Sequence, residues 1–503
     1  TLWLRVVLWI VHYDTLKYHT LEYDYRNNYC LSDGTGSMVE FVNRTEELAR
    51  LRELYGSNEA ELAVIYGRRR LGKTELIKES LSESDSAVVY QAKQKTSELQ
   101  LQQFIETAAE SYPGVGRIRK EWDEVLGFLA EQDAIVVLDE FPYLVDQDES
   151  LPSVLQAMFD YELDDSAATF VLVGSSISMM EDAALLGNSP LYGRSSLKLD
   201  VRQLPFDASM EFFDDAYSPV EQVLTWGVFG GVPYYLEEVD PDATLATNIQ
   251  RTILSRHGTL HDEPDYVLRM ELTEPTRYFS ILEAIAGGNT TRNEIAGTTG
   301  IDYNQLSKYL NRLSRLRLVD QHVPITEQKE RSKRSRYRIR DPFFRFWFHF
   351  VYGSGEQYDE LGAAGYETLI EPELADFVSH SFEELCCSAL RTLYPEHTIT
   401  NTGQWWYGEH EIDVVGLTAG ETLIVGECKF QQSPLGYDAL SNLQHHADEL
   451  RWMPQTGDER VVEHALFSRS GFKQSVEEAA NERNDLRLFT VSDVVNALSE
   501  PDG

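Results

Sequence analysis

The sequence predicts a multidomain α/β protein, and three observations carry that expectation. Runs of β-branched and aliphatic residues (Glu61–Tyr66, Ala134–Leu138, Thr169–Val173) alternate with helical stretches, as in a parallel sheet covered on both faces. A glycine-rich turn separates the first run from a helix. The 503 residues amount to about three domains at roughly 150 residues each, and 42 % apolar content is ample for several cores. No run approaches the roughly 18 uninterrupted apolar residues of a membrane span, so no membrane partner is expected.

The chain carries 83 acidic and 44 basic residues, net −39, and only 12 of the basic residues are lysine. That excludes a generally basic nucleic-acid coat but not a local basic patch. The balance resembles the salt-in haloarchaeal bias, in which carboxylates keep the surface hydrated and molar salt screens their repulsion. Four cysteines (Cys30, Cys386, Cys387, Cys428) lack CxxC spacing. They suit neither a zinc site nor a disulfide framework, and point to a reducing cytoplasm. Residues 1–37 carry a net −1, and the first methionine is Met38. The acidic signature begins only there, which reads as a non-native upstream extension; a β-structured extension is the alternative.

Glu61–Tyr66 (ELAVIY) reads as a buried strand. It is followed by Gly67-Arg68-Arg69-Arg70-Leu71-Gly72-Lys73-Thr74 and a helical ELIKESL. This is G-x4-G-K-T in the strand–loop–helix setting of a phosphate-binding loop. Its glycines let backbone N–H groups turn inward on phosphates at the positive end of the next helix. Lys73 reaches the β/γ-phosphates and the Thr74 hydroxyl suits Mg²⁺, so residues 67–74 are the expected ATP contacts. The run Ala134–Leu138 ends in Asp139 and Glu140. Asp139 would hold Mg²⁺ through water, and Glu140 would polarise the attacking water as general base. A third strand, Thr169–Ser176, ends in hydroxyls.

In this order the three strands resemble the core of AAA-type ATPases. The resemblance places Ser175 or Ser176 near the γ-phosphate. It makes Arg194 (PLYGRSSLKL) the candidate arginine finger acting on a second copy, with a surface ion pair as the alternative. It also sets Asn43-Arg44 (FVNRTEEL) beside the adenine, and Gly230–Leu236 (GGVPYYL) as a lid motif that carries no arginine. Together these residues resemble the archaeal P-loop ATPase family that couples an AAA-like module to a C-terminal nuclease-like domain. The resemblance runs from residue 41 to about 500.

Residues 277–340 read as three short helices and a β-wing. The helices are Thr276–Ala286, then Thr290–Thr299 with Thr290 as cap, then Asp302–Leu316 with Leu306, Leu310 and Leu313 on one stripe. Val319–Val323 and Arg336–Ile339 would form the wing of a winged helix-turn-helix, with the third helix reading a groove. Residues 308–340 hold eleven Lys/Arg against three acids. Such a dense patch suits short-range phosphate contacts with DNA; a solvated face or protein–protein contacts are the alternatives.

Asp341–Phe350 reads as a buried aromatic helix and Phe382–Cys386 as part of an amphipathic one. Glu411–Val415 and Leu423–Phe430 read as a strand pair across a turn at Thr418–Glu421. Period-two alternation places Glu427 and Lys429 on one face, with Asp413 across the hairpin. The order Glu383, Asp413, Glu427-x-Lys429 resembles the restriction-endonuclease-like motif. In that chemistry Asp413 and Glu427 hold Mg²⁺ and Lys429 positions the water. Glu384 is the alternative to Glu383, and Gln444 matches a position where such folds place an amide. Adjacent helical His445 and His446 face different directions, which disfavours them as metal ligands.

The expected organisation is therefore an extension (1–37), an AAA-like P-loop ATPase core (38–205), a helical lid (206–272) and a winged helix-turn-helix (273–345). A helical linker (346–375) and an α/β restriction-endonuclease-like domain (376–503) complete it. The function implied is an ATP- and Mg²⁺-dependent ATPase coupled to DNA binding and a nuclease-like site, in the cytoplasm and as a possible homo-oligomer. A nucleotide-dependent switch that cleaves nothing is the alternative.

Overall fold

The computed structural model describes residues 41–499, apart from 83–84, 188, 214–215, 273, 455–456 and 458, so the reading of residues 1–37 lies outside the described residues. Strands β1 (Glu61–Tyr66), β2 (Ala87–Gln91), β3 (Ile135–Asp139), β4 (Thr169–Gly174) and β5 (Leu197–Asp200) form a parallel sheet in the order β2-β3-β4-β1-β5. β3 and β4 are buried along their whole length and β1 through its interior, which is why these segments are continuous aliphatic runs. Phe104, Val125, Leu155 and Phe170 pack in the core between sheet and helices. The in-register pairing Tyr66↔Gly174 and Leu138↔Leu172 brings the carboxyl ends of β1, β3 and β4 to one edge, where the chemistry of such sheets is placed.

The helical segment after β5 folds back on that edge. Gly230 has φ +66, and a Cβ at Gly231 would lie 2.2 Å from the Leu204 carbonyl oxygen, so the glycine pair permits the close turn that leads into helix Pro233–Glu237. Helices Pro275–Ala286, Arg292–Thr299 and Tyr303–Arg315 follow, with an antiparallel ribbon of β6 (Val319–His322) and β7 (Arg336–Ile339). The third helix buries Leu306, Leu310 and Leu313, and Asp302 caps it by accepting the N–H of Asn304 and Gln305. The second helix is capped by Thr291 rather than Thr290. Only Thr291 has a glutamate three residues on, and Thr291 and Glu294 form a reciprocal capping box.

Pro342–Phe346 is helical and continues as a wide turn through Val351, burying Phe343, Phe344 and Phe346. A single helix, Glu371–Leu393, spans the expected junction at 375/376. Beyond it, β8 (Ile399–Tyr407), β9 (His410–Thr418), β10 (Thr422–Lys429), β11 (Val461–Ser468) and β12 (Leu486–Thr490) form a mixed sheet. Its order is β12-β11-β10-β9-β8, with β8–β9–β10 antiparallel and β10–β11–β12 parallel. Helix Tyr437–Glu449 connects β10 to β11. Among the described residues no helix is long and apolar enough to cross a membrane.

Candidate functional site

The P-loop folds where the sequence places it. Gly67 passes so close to the residue after β5 that a Cβ would lie 2.3 Å from the Val201 carbonyl oxygen, and Gly72 has φ +79 as N-cap of helix Lys73–Ser80. Lys73 is buried and donates to the carbonyls of Gly67 (2.9 Å) and Arg68 (2.7 Å), so its ammonium lies inside its own loop. Burial pushes it down to about 8 against the pull of Glu140 and Asp139. Thr74 Oγ1 donates to Asp139 Oδ2 at 2.9 Å, which joins the two oxygen donors expected at one cation. Burial, and next the Glu140 charge, raise the Asp139 carboxyl. Glu140 sits at φ +54 and accepts from the Ser175 hydroxyl and, at 3.3 Å, the Ser175 N–H. A cavity of about 280 Å³ opens beside it, lined by Arg69, Glu140, Ser175, Ser176 and Glu271. Glu140 and Ser175 thus line this cavity, while Lys73 stays inside its loop within electrostatic reach of Glu140 and Asp139.

The three loop arginines do something the motif does not specify. Arg68 is buried and paired at 2.7 Å with Asp341, the N-cap of helix Pro342–Phe346, and lies over the Phe344 ring. Burial lowers Arg68, but Asp341 and Tyr235 more than offset it and the guanidinium stays above its usual range. Arg69 donates to the Tyr266 hydroxyl at 2.8 Å. Arg70 pairs with Glu263 at 3.2 Å and stacks on Tyr234 at 3.8 Å. The expectation that residues 67–74 contact ATP through the loop backbone is untouched by these side-chain partners. The three arginines tie the loop to the helical segment and to the start of the C-terminal half, while their backbone remains in the loop.

Arg44 is likewise a brace. It caps helix Thr45–Tyr55 and donates to the carbonyls of Arg202 (2.6 Å) and Leu71 (3.3 Å). The neighbouring Asn43 side chain accepts the Arg44 N–H. Leu71 is buried. Arg194 is not brought to this chain's P-loop. It makes two bonds to Asp160 at 2.7 and 2.8 Å, next to Ser196, whose N–H meets Leu62 near the start of β1. That is the opposite end of the strand from the loop.

The basic island is less free than its composition suggests. Arg315 pairs with Glu181 (2.7 Å), Arg317 with Asp200, Arg336 with Glu411 (2.5 Å) and Arg334 with Glu327. Arg312 donates to the Glu271 carbonyl at 3.4 Å. Within the patch expected to contact DNA phosphates, Arg315, Arg317 and Arg336 instead tie the segment to Glu181 and Asp200 of the ATPase core and to Glu411 of β9. Lys308, Lys329, Arg331 and Lys333 remain exposed.

In the C-terminal sheet the β9–β10 register runs as far as Val414↔Gly426, and Asp413 and Glu427 are the next residues along each strand. Asp413 Oδ2 accepts the Cys428 N–H at 2.9 Å, and Lys429 pairs with Glu427 at 2.5 Å. Glu383 accepts from Gln404 at 2.7 Å. Burial, then the Glu383 and Glu427 charges, push Asp413 well above the usual carboxylate range. Burial would also raise Glu383, but His380, Arg338 and Gln404 hold it below its usual value. Asp413 and Glu427, the expected metal-holding pair, lie close enough for the Glu427 charge to act on Asp413. Among the described residues, Glu396, His397 and Glu463 are the group of donor side chains whose ligand atoms all lie within 4.8 Å of one another. His397 and Glu463 there form an ordinary pair at 2.9 Å, and Glu396 pairs with Arg487. Each carboxylate of the Glu383–Asp413–Glu427 set has a local partner: Gln404, the Cys428 N–H and Lys429 respectively. The Gln444 amide oxygen accepts from the Arg483 guanidinium. His445 and His446 both approach His410, with ring centroids 5.2 and 5.3 Å away.

Sequence reasoning missed Asp341, Glu263 and Glu271. Pro264 and Pro342 mark helix starts, but nothing local says that the adjoining acids face the P-loop arginines or Ser176.

A family described as an ATPase domain predominantly from Archaea matches residues 41–239, and one described as "Archaea bacterial proteins of unknown function" matches residues 347–443. The uncharacterized protein MJECL04 of Methanocaldococcus jannaschii is 34 % identical over 381 residues, 75 % of this chain and 84 % of that protein. The uncharacterized ATP-binding protein MJ0423 of the same organism is 54 % identical over 44 residues, 9 % of this chain and 75 % of that protein. Among solved structures, the Walker-type ATPase PABY2304 of Pyrococcus abyssi aligns with TM-score 0.46 at 20 % identity, over 61 % of this chain and 96 % of that one. The ORC2 protein of Aeropyrum pernix aligns with TM-score 0.40 at 16 % identity, over 64 % of this chain and 97 % of that one.

Proposed function

This chain belongs to the archaeal ATPase-domain family of the M. jannaschii protein MJECL04, and from that premise we propose that it is a cytoplasmic, Mg²⁺-dependent ATPase. Its nucleotide cycle moves a DNA-binding winged helix-turn-helix and a restriction-endonuclease-like module relative to the P-loop. The observation that carries this reading is the clustering of loop-held Lys73 with Thr74-bonded Asp139 and Ser175-held Glu140, the last of which lines the adjoining cavity.

Lys73 exchanges the carbonyls of Gly67 and Arg68 for phosphate oxygens, and the loop N–H groups hold the remaining charge. Thr74 and Asp139, two hard oxygen donors 2.9 Å apart, fit a Mg²⁺ ion, which when bound neutralises phosphate charge. Glu140 accepts the proton of the attacking water, and Ser175 fixes the carboxylate orientation. Any rearrangement of the loop pulls on Asp341, Tyr266 and Glu263 through three consecutive arginines, which is the mechanical route to the other modules. Arg194, paired with Asp160 in its own chain, completes a neighbouring site only where a second copy presents it there.

A second reading, a nucleotide switch that binds partners without cutting DNA, is favoured by the Lys429–Glu427 pair and by the Asp413 carboxylate held on a backbone N–H. Purified protein with Mg²⁺ or Mn²⁺, with and without ATP, separates the two. ATP-stimulated DNA cleavage that disappears in Asp413→Ala supports the nuclease module. Intact DNA beside normal ATP turnover supports the switch.

A further inference from the structure

A second cavity, of about 540 Å³, lies between the ATPase core, the β6–β7 ribbon and the C-terminal sheet and meets the P-loop at Arg68 and Leu71. Its volume is in the range of small-molecule sites. Arg338 of β7 lines it, 8 % exposed, and its Nη1 is buried with no hydrogen-bond partner in the protein. The other lining cations are largely matched: Arg68 has Asp341, Arg340 faces Asp320 at 3.7 Å, and Arg317 and Arg202 share Asp200. Glu383 feels the Arg338 charge and Glu384 also lines the cavity, but neither bonds Nη1, and a buried guanidinium donor left unmet is costly. The charge acts strongly here, since burial and then Arg338 push His322, another lining residue, down to about 4. A second unmet atom has the opposite demand. Gln404 donates its amide to Glu383, and its buried Oε1 accepts nothing. Half-buried Trp226, with Leu204 and Pro205, gives the same cavity a flat apolar wall.

One ligand chemistry meets all three demands. We propose that this cavity is a second ligand site, beside the P-loop, that takes a nucleoside 5′-phosphate: the phosphate on Arg338, a hydroxyl or amino group donating to Gln404 Oε1, and the base against Trp226. The site touches Arg68 on one side and Gln404, the partner of Glu383, on the other, so its occupant reports to both the ATP crevice and the C-terminal carboxylates. The nucleotide is either free or the 5′-terminal residue of a nucleic-acid strand.

The test uses the full chain carrying Lys73→Ala, which weakens phosphate binding at the P-loop. AMP and a 5′-phosphorylated trinucleotide are titrated by calorimetry, with adenosine and the 5′-hydroxyl trinucleotide as controls. Saturable binding that needs the phosphate is expected, falling about tenfold or more in Arg338→Met. The melting temperature of Arg338→Met without ligand should equal or exceed that of its parent. Gln404→Leu is the second variant, expected to weaken AMP binding with the phosphate contact intact, and it decides the matter if Arg338→Met does not fold. Binding of AMP but not the trinucleotide identifies a free effector; the reverse identifies a strand end. No saturable binding of either probe, or unchanged affinity in the folded variants, overturns the proposal.

Discussion

Removing Arg68 tests whether the P-loop is mechanically joined to the C-terminal half. The Arg68–Asp341 pair is buried on both sides, with Asp341 0 % exposed and the two side chains 2.7 Å apart. Arg68→Met would leave the carboxylate with Gln203 at 2.7 Å and the N–H groups of Phe343 (2.9 Å) and Phe344 (3.4 Å), but with no cation. Breaking one side of a buried pair costs about 3–5 kcal/mol, and the Gln203 amide keeps the loss toward the lower figure. Asp341→Asn retains an oxygen for capping, so the double variant Arg68→Met/Asp341→Asn removes both charges without stripping the helix start. It should recover much of the loss and give a coupling energy of about 2 kcal/mol or more in a double-mutant cycle. Denaturant midpoints followed by tryptophan fluorescence supply the stabilities. ATP turnover measured in parallel should lose its response to DNA in the single variant. An Arg68→Met loss below about 1 kcal/mol, or additive single and double variants, would refute the coupling.

Three further outcomes follow from the same geometry. Lys73 is held down to about 8, whereas phosphate beside it favours the charged form, so ATP binding should take up a proton above that pH and weaken as pH rises; calorimetry in buffers of different ionisation enthalpy at pH about 9 reads the uptake, and pH-independent affinity would contradict it. Asp413 is raised above its unfolded value, so the folded state binds more protons and loses stability as pH climbs past about 4; in chelator, Asp413→Asn should be the more stable protein at pH about 7, with the difference vanishing at low pH, and a less stable variant would count against burial as the cause. If the exposed Lys329, Arg331 and Lys333 hold DNA phosphates, replacing all three with alanine should flatten the salt dependence of binding by about 0.9 in log–log slope for each phosphate released, while Arg317→Ala should leave the slope unchanged; an unaltered triple variant would rule out those side chains as phosphate ligands.

The elements of the candidate site were legible because their signals are local. β1 coincides with ELAVIY, and the P-loop, β3 with Asp139, and β4 follow where the motif requires them. The third helix of the basic segment was legible from one leucine stripe and one aspartate cap. What was not legible depends on partners far along the chain. Asp341 lies 273 positions from Arg68, and Glu411 lies 75 positions from Arg336, so composition reported a charge excess without saying what neutralises it. A charge run in an acidic chain is as able to dock domains as to bind phosphate, and here it docks them in part. The histidines illustrate the same limit: helix periodicity separates His445 from His446, but β9 brings His410 within reach of both.

Everything proposed for this chain depends on the Lys73 loop holding ATP and on Glu140 driving its hydrolysis. Phosphate release should therefore be measured in molar KCl for the wild type, Lys73→Ala and Glu140→Gln, alongside nucleotide binding. Turnover should be lost in both variants, with binding weakened in Lys73→Ala and retained in Glu140→Gln. Turnover by Lys73→Ala or Glu140→Gln at the wild-type rate would show that this crevice is not where ATP is hydrolysed.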